Sequence, residues 1–327
     1  MNILYGVQAT GNGHINRSRE VVKELKKNNQ VEVIFSGREE SKIKNVEDFK
    51  PYRVYKGITY KTKNGNIDYI ETIKDLGLIE FNKNIYDYNG NHDLIITDFE
   101  PITCKISQKS KIPSIGLAHQ YNLVQEVIPS FITKIFAPAD IEIGINWWHF
   151  NNNIIPPILP KNLKSNTIKN KILVYLPWHD YNVYKKLNIY KEYNFVCYDP
   201  RVDNVTYMDN VIINPIDRKN FIEDLQSCEG VLANAGFQLS SEAISLSKKL
   251  FVIPLKGQFE QELNAKNLQL LNLGMSANDI DSSLFEFWLK KEQDYRNNIW
   301  NNLVVEEFVR WIENGYEDLT SFIKSIW

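Results

Sequence analysis

The chain opens on an apolar run, Asn2-Ile-Leu-Tyr-Gly-Val-Gln8, bounded by the turn residues Thr10-Gly11-Asn12-Gly13. A short continuous run closed by turn residues reads as a buried strand over Met1–Gln8. The period then changes. Ile15, Val22 and Leu25 fall on one side of a helix, with Arg17, Arg19, Lys23 and Lys26 on its polar side. Val31–Phe35 is apolar again and predicts the next strand. Strand, glycine loop, helix and strand in that order imply a parallel sheet with helical crossovers. The alternation runs on through a hairpin around Asn64-Gly65, a helix near Tyr69–Tyr88 and the strand Asp93–Thr97. A helix from about Pro101 and the strand Pro113–Leu117 complete the first half.

Asn151–Lys164 breaks the pattern with Pro156, Pro157 and Pro160, which neither continue a helix nor fit a central strand. Beyond it the alternation restarts, with strands expected at Lys171–Leu176, Asn194–Tyr198, Val211–Ile213, Gly230–Ala233 and Leu250–Pro254. Helices are expected over Arg218–Gln226, from about Leu239, from Phe259, and throughout Phe285–Trp327. The fold class is therefore α/β, with two Rossmann-like domains over 1–155 and 156–307 and a final helix over 308–327 packing back on the first. In open parallel sheets ligands bind beyond the C-terminal strand ends, so the cleft between two such halves is the expected site.

Composition narrows the function. The 327 residues carry 38 Lys+Arg against 40 Asp+Glu, a balance that gives no broad basic surface for nucleic acid. Cys104, Cys197 and Cys228 are far apart, which fits neither a disulfide framework nor a structural zinc site and points to a reducing cytoplasm. No apolar run reaches the roughly 18 residues of a membrane span, and MNILYGVQATG lacks the layout of a signal peptide.

Two familiar phosphate loops fail against the first glycine loop. Gly6-x4-Gly11 is followed by Asn12 and Gly13 where a Walker A loop needs Lys and Ser or Thr. Gly11-x-Gly13-x-x ends in Asn16 instead of glycine, and Ser36-Gly37-Arg38 offers no acidic residue for a ribose. What remains is a turn that another molecule can approach closely, at Gly11, Asn12 and Gly13, with His14 at a helix start as a candidate proton acceptor. The plainer reading is a turn and a capping histidine. Asp98 and Glu100 follow a strand at the same sheet edge, where they could orient His14, bind an acceptor hydroxyl, or only cap a helix. His119, just after the strand ending at Leu117, is a candidate for acceptor contact.

The densest polar constellation is Asn234-Ala-Gly236-Phe237-Gln-Leu-Ser240-Ser241-Glu242, followed by Pro254-Leu-Lys-Gly-Gln258-Phe-Glu260-Gln261 and Asn264-Ala265. A strand end, a glycine turn and a helix start present unpaired backbone N–H groups and a positive dipole end to a diphosphate. Glu242 lies one turn in, within reach of a ribose diol. Gln258, Glu260 and Gln261 start the next loop-to-helix segment on the same edge and suit sugar hydroxyls. Ile216 and Phe221 flank the preceding helix start, where they would either bracket a base or pack in the core.

This segment resembles the nucleotide-sugar signature of GT-B glycosyltransferases. It is most similar to a bacterial and archaeal subgroup that resembles the peptidoglycan N-acetylglucosaminyltransferase. The Gly11-Asn-Gly-His14 loop and Thr97-Asp-Phe-Glu-Pro101 are similar to further features of that group. Leu176-Pro-Trp-His179 departs from it, since glycine and serine stand there in the peptidoglycan enzyme. The resemblance implies an inverting transfer that needs no metal or other cofactor, from a UDP-sugar bound by the second domain to a glycan or lipid-linked acceptor on the first. His14 would be the base, with Asp98 and Glu100 as the other acid–base candidates. A sugar-nucleotide 2-epimerase of the same architecture and a non-catalytic nucleotide-sugar-binding protein are the alternatives.

Asp279-Ile-Asp281 has the spacing of a metal-binding DxD motif, but it precedes a helix that Asp281 would cap, and no metal site is expected there. Trp147-Trp148 and the apolar stretch Leu123–Ala137, with Lys161, Lys164, Lys169 and Lys171 nearby in sequence, are candidates for peripheral contact with a membrane.

Overall fold

The computed structural model describes the chain except residues 44, 58–60, 64–65, 69–84, 86–87, 123–135, 282 and 293–299. The chain divides into two compact units. The first comprises Met1–Lys61, Asp68–Pro160 and Trp300–Trp327, and the second Thr62–Ile67 and Lys161–Ile299.

The first unit is built on β1 (Asn2–Gln8), β2 (Gln30–Ser36), β3 (Tyr52–Tyr55), β6 (Leu94–Asp98), β7 (Ser114–Ala118), β8 (Ile141–Ile145) and β9 (Ile154–Ile155), in the order β3-β2-β1-β6-β7-β8-β9. Every neighbouring pair is parallel. Strands covered on both faces must be apolar on both, and β6 and β7 are buried at every position. Helix α1 (Asn12–Leu25) crosses from β1 to β2, and α2 (Pro101–Ser110) leads from β6 to β7. Gly6 lets α2 lie close on β1, because a Cβ there would fall 2.1 Å from Thr103 Oγ1. The strands β4 (Lys61–Lys63) and β5 (Asn66–Asp68) pair on either side of Asn64-Gly65, which lie outside the described residues. Of the helix expected over Tyr69–Tyr88, only Ile85 and Tyr88 are described.

The second unit carries β10 (Lys171–Tyr175), β11 (Asn194–Tyr198), β12 (Thr206–Met208), β13 (Val211–Asn214), β14 (Gly230–Asn234), β15 (Lys249–Ile253) and β16 (Met275–Ser276). Their order is β12-β13-β11-β10-β14-β15-β16, parallel except for the edge pair β12–β13. Its helices are α3 (Asn182–Leu187), α4 (Arg218–Ser227), α5 (Phe237–Ser245), α6 (Phe259–Leu270) and α7 (Ser283–Lys290). Phe195, Phe251, Phe285 and Trp288 lie in its main apolar core. Two Rossmann-like sheets define the GT-B fold class.

The helical structure expected throughout Phe285–Trp327 is found in separate pieces. Among the described residues beyond α7 stand two helices, α8 (Val304–Glu313) and α9 (Leu319–Ile326), parted by Gly315 at φ +94 and by Tyr316 and Asp318 in the left-handed region. Trp300 Nε1 donates to the Trp147 carbonyl and Trp327 Nε1 to that of Ile154, which ties this segment to the loop around β9. No described helix is long and apolar enough to cross a membrane.

Candidate active site

In the first unit the polar residues gather at the C-terminal ends of β1 and β6. Gly11 caps α1 in an extended conformation open to any residue, and a Cβ there would meet nothing within 4 Å. The fold therefore does not demand glycine, and the space beside the turn is open. Arg38 holds the loop by donating to Asn12 Oδ1 and the Thr10 carbonyl, each at 3.0 Å. Gly13 lies in the first turn of α1, one residue before His14.

His14 Nδ1 lies 2.8 Å from Asp98 Oδ1. Asp98 is 0% exposed, and its carboxylate also accepts from Arg17 Nε at 2.8 Å, Arg17 Nη2 and Ser18 Oγ at 2.9 Å. Burial alone would push this acid up. The Arg17 guanidinium and His14 outweigh burial and hold it down at about 2. Arg17 escaped the sequence reading because it stands on the side of α1 that looks polar, yet it is 4% exposed.

Glu100 has a different environment. Its carboxylate accepts from Ile102 N at 2.9 Å, Thr103 N at 2.7 Å, Thr103 Oγ1 at 2.8 Å and Ser36 Oγ, which makes it the N-cap of α2. It is fully buried, and burial pushes its carboxyl up. Four donors engage this carboxylate, which places Glu100 as a buried helix cap. His119 is buried after β7, with Nδ1 donating to the Ile145 carbonyl at 2.7 Å and its ring 6.4 Å from that of Trp147. The two tryptophans part ways: Trp147 is buried and Trp148 is 47% exposed. The stretch 123–135 lies outside the described residues.

In the second unit β14 ends at Asn234 and α5 begins at Phe237, two residues earlier than the expected start near Leu239. The Gly236 cap supplies no side chain to the helix start, its φ of −74 suits any residue, and a Cβ on it would meet nothing within 4 Å. The space beside the α5 start is therefore open. Asn234 Nδ2 donates to the Ile253 carbonyl at 2.9 Å and lies 3.4 Å from His179 Nδ1. Asn234 Oδ1 and Ser240 Oγ are buried polar atoms with no protein hydrogen-bond partner. Ser241 Oγ donates to the Phe237 carbonyl at 2.7 Å and so serves the helix itself.

Glu242 is buried, and Gln238 Nε2 donates to its Oε1 at 2.9 Å. Burial raises its carboxyl to about 7, with Gln238 and the Arg218 charge only partly offsetting it. Gln258 precedes α6, and its Oε1 is another buried atom with no protein partner. Glu260 lies in the first turn of α6. Gln261 Oε1 accepts from Leu255 N at 2.9 Å and so braces the loop. Ile216 is 45% exposed beyond β13, whereas Phe221 packs edge-on between the rings of Tyr175 and Tyr198, so the two do not form a matched bracket. His179 is positioned by an arm the sequence did not reveal. Arg201 donates to the His179 carbonyl at 2.8 Å while pairing with buried Asp199. Lys186 Nζ contacts both Asp279 and Asp281.

The fold and both sites point to a glycosyltransferase of the GT-B class. The family model described as Glycosyl transferase family 1 matches residues 1–137 and 147–291, and the chain belongs to this family. Comparison with curated proteins gives no match. Among solved structures, the chain is similar to MurG of Acinetobacter baumannii, at 12% identity and a TM-score of 0.58 over 96% of this chain and 99% of that one. It is likewise similar to Arabidopsis thaliana UGT89C1 complexed with UDP, at 11% identity, a TM-score of 0.60 and 99% of both chains. A third is the Streptomyces sp. SF2575 glycosyltransferase SsfS6 complexed with thymidine diphosphate, at 12% identity, a TM-score of 0.60, 96% of this chain and 99% of that one.

Proposed function

We propose that the chain is an inverting, metal-independent glycosyltransferase that moves a sugar from a UDP-sugar to a hydroxyl of a glycan or lipid-linked acceptor. Within its family we place it near the subgroup resembling the peptidoglycan enzyme. The observation that carries the donor half is the β14–α5 turn, where Asn234 Oδ1 and Ser240 Oγ are buried without protein partners beside an uncapped helix start. A diphosphate there would accept from the backbone N–H groups and the serine hydroxyl, with the helix dipole favouring its charge. Glu242 would accept from the ribose hydroxyls, and Gln258 and Glu260 would contact the sugar.

In the reaction the acceptor oxygen attacks the anomeric carbon from the face opposite the diphosphate. The carbon–oxygen bond to the phosphate breaks, and UDP departs with the electron pair. The acceptor proton passes to Nε2 of His14, and Asp98 steadies the resulting imidazolium through Nδ1. Donors at the α5 start stabilise the departing charge in place of a metal. The acceptor lies on the first unit beside Gly11, Asn12, Gly13 and His119. Peripheral contact with the cytoplasmic face of a membrane, for which Trp148, Lys161, Lys164 and Lys169 are exposed candidates, belongs to the same proposal. A thermal-shift screen of nucleotide sugars tests the donor, and UDP release that depends on added acceptor tests the transfer. Release of UDP or isomerisation of the sugar without any acceptor would sink it.

A further inference from the structure

Arg17 is the only described cation paired with Asp98 apart from His14, and its guanidinium spans the whole carboxylate edge. Nε lies 2.8 Å from Oδ2, and Nη2 contacts Oδ1. Ser18 Oγ adds a second donor to Oδ2 at 2.9 Å. An ionised carboxylate offers about four acceptor positions. Three are filled by Arg17 and Ser18, and the fourth, on Oδ1, faces His14 Nδ1 at 2.8 Å. The same Nδ1 also lies 2.8 Å from Arg17 Nη2. A hydrogen from Nη2 to Nδ1 would put the ring proton on Nε2, and His14 could then take no proton from a substrate. A hydrogen from Nδ1 to Asp98 completes the carboxylate and leaves Nε2 with its lone pair.

We infer that Arg17 is a positioning residue: it fixes Asp98 as the hydrogen-bond acceptor for His14 Nδ1 and so reserves Nε2 for the acceptor hydroxyl. This inference rests on His14 being the base. Arg17 itself does not meet substrate, since it is buried and its charge is engaged by Asp98. A buried carboxylate left without its cation takes up a proton more readily, and a protonated Asp98 no longer fixes the tautomer. The groups facing Asp98 leave Arg17 as its permanent countercharge. They are Tyr5 from β1, Tyr121 from the segment after β7, and His14, Arg17 and Ser18 from α1. Burial pushes both phenols up, so neither supplies charge near neutrality, and the Glu100 carboxylate is held in the α2 cap.

The test compares Arg17→Gln, which removes the charge but keeps a hydrogen-bond donor, with Arg17→Lys, which keeps the charge but loses the fork. Turnover against pH and the Asp98 carboxyl resonance of protein labelled with ¹³C-aspartate are both followed. Arg17→Gln should lower kcat about 10-fold or more at pH 7, move the acidic limb of the rate profile to higher pH, and raise the pH at which the Asp98 resonance titrates. Arg17→Lys should leave the limb and the resonance near their wild-type positions. Equal rate losses in both variants with unmoved profiles and resonance would reduce Arg17 to a packing role and overturn the inference. Full activity of His14→Gln would instead remove the base assignment and the inference with it. An unmoved Asp98 resonance in Arg17→Gln overturns the inference alone, leaving His14 as the base.

Discussion

The Nδ1 atom of His14 lies 2.8 Å from Oδ1 of Asp98, although 84 residues of sequence separate them. The contact exists because β1 and β6 are parallel neighbours, with Val7 level with Asp98, so the chain following β1 meets the end of β6. If His14 removes the acceptor proton, His14→Ala should lower kcat by about 10²- to 10⁴-fold, the range of a positioned acid–base group. Donor affinity should hold, because the proposed nucleotide residues lie in the second unit. Steady-state kinetics with a saturating donor separate these effects, and a near wild-type kcat would reject the assignment.

Asp98→Asn should cost stability as well as rate. The substitution leaves the buried Arg17 guanidinium without its counterion, and breaking a buried pair typically costs about 3–5 kcal/mol. Urea unfolding should show that loss, and kcat per folded molecule should fall less than in His14→Ala.

Loss of Glu100 is expected to cost stability without rate. Its carboxylate receives Ile102 N, Thr103 N, Thr103 Oγ1 and Ser36 Oγ, so Glu100→Ala removes a buried cap with several bonds. A lost cap costs about 1–2 kcal/mol, and the orphaned donors add to that. The melting temperature should drop while kcat of the folded fraction stays near wild type. A dead but stable Glu100→Gln would return the base role to this residue.

Much of this was legible in the sequence where one local pattern dictates one outcome. β1, β6, β10 and β14 are uninterrupted apolar runs, and the Gly236-to-Glu242 spacing announces a strand–turn–helix. The strands missed are short or carry mixed signals: Glu142 and Gly144 interrupt β8, and β9 is only Ile154-Ile155 beside three prolines. Charge pairing was the harder part. Arg17 looks like a solvated helix face until Asp98 reaches it across 81 positions, and nothing local tells Asp98, which meets the histidine, from Glu100, which caps a helix.

Chelation should leave the proposed transfer intact. No group of three or more metal-ligating side chains is found among the described residues, and Lys186 Nζ contacts both carboxylates of the Asp279-Ile-Asp281 pair. Turnover after dialysis against EDTA should match the untreated enzyme. Loss of turnover restored by Mn²⁺ would assign a metal to the reaction.

Glu242 ties donor binding to pH. Burial raises its carboxyl from 4.5 to about 7 in the unliganded protein. A raised acid binds its proton more tightly folded than unfolded, so it contributes stability at low pH that is lost as pH rises from about 4.5 to about 7. The difference corresponds to about 3 kcal/mol, and Glu242→Gln should flatten that part of the stability profile. Ribose hydroxyls donating to Glu242 favour its charged form, so UDP binding should release a proton and tighten as pH rises from about 6 to about 8. Loss of a charge-assisted bond in Glu242→Ala should weaken UDP by roughly 10- to 100-fold, equivalent to about 1.5–3 kcal/mol. Calorimetry in two buffers of different ionisation enthalpy measures both the affinity and the proton count. An affinity that ignores pH in the wild type and survives the alanine substitution would place the nucleotide away from Glu242.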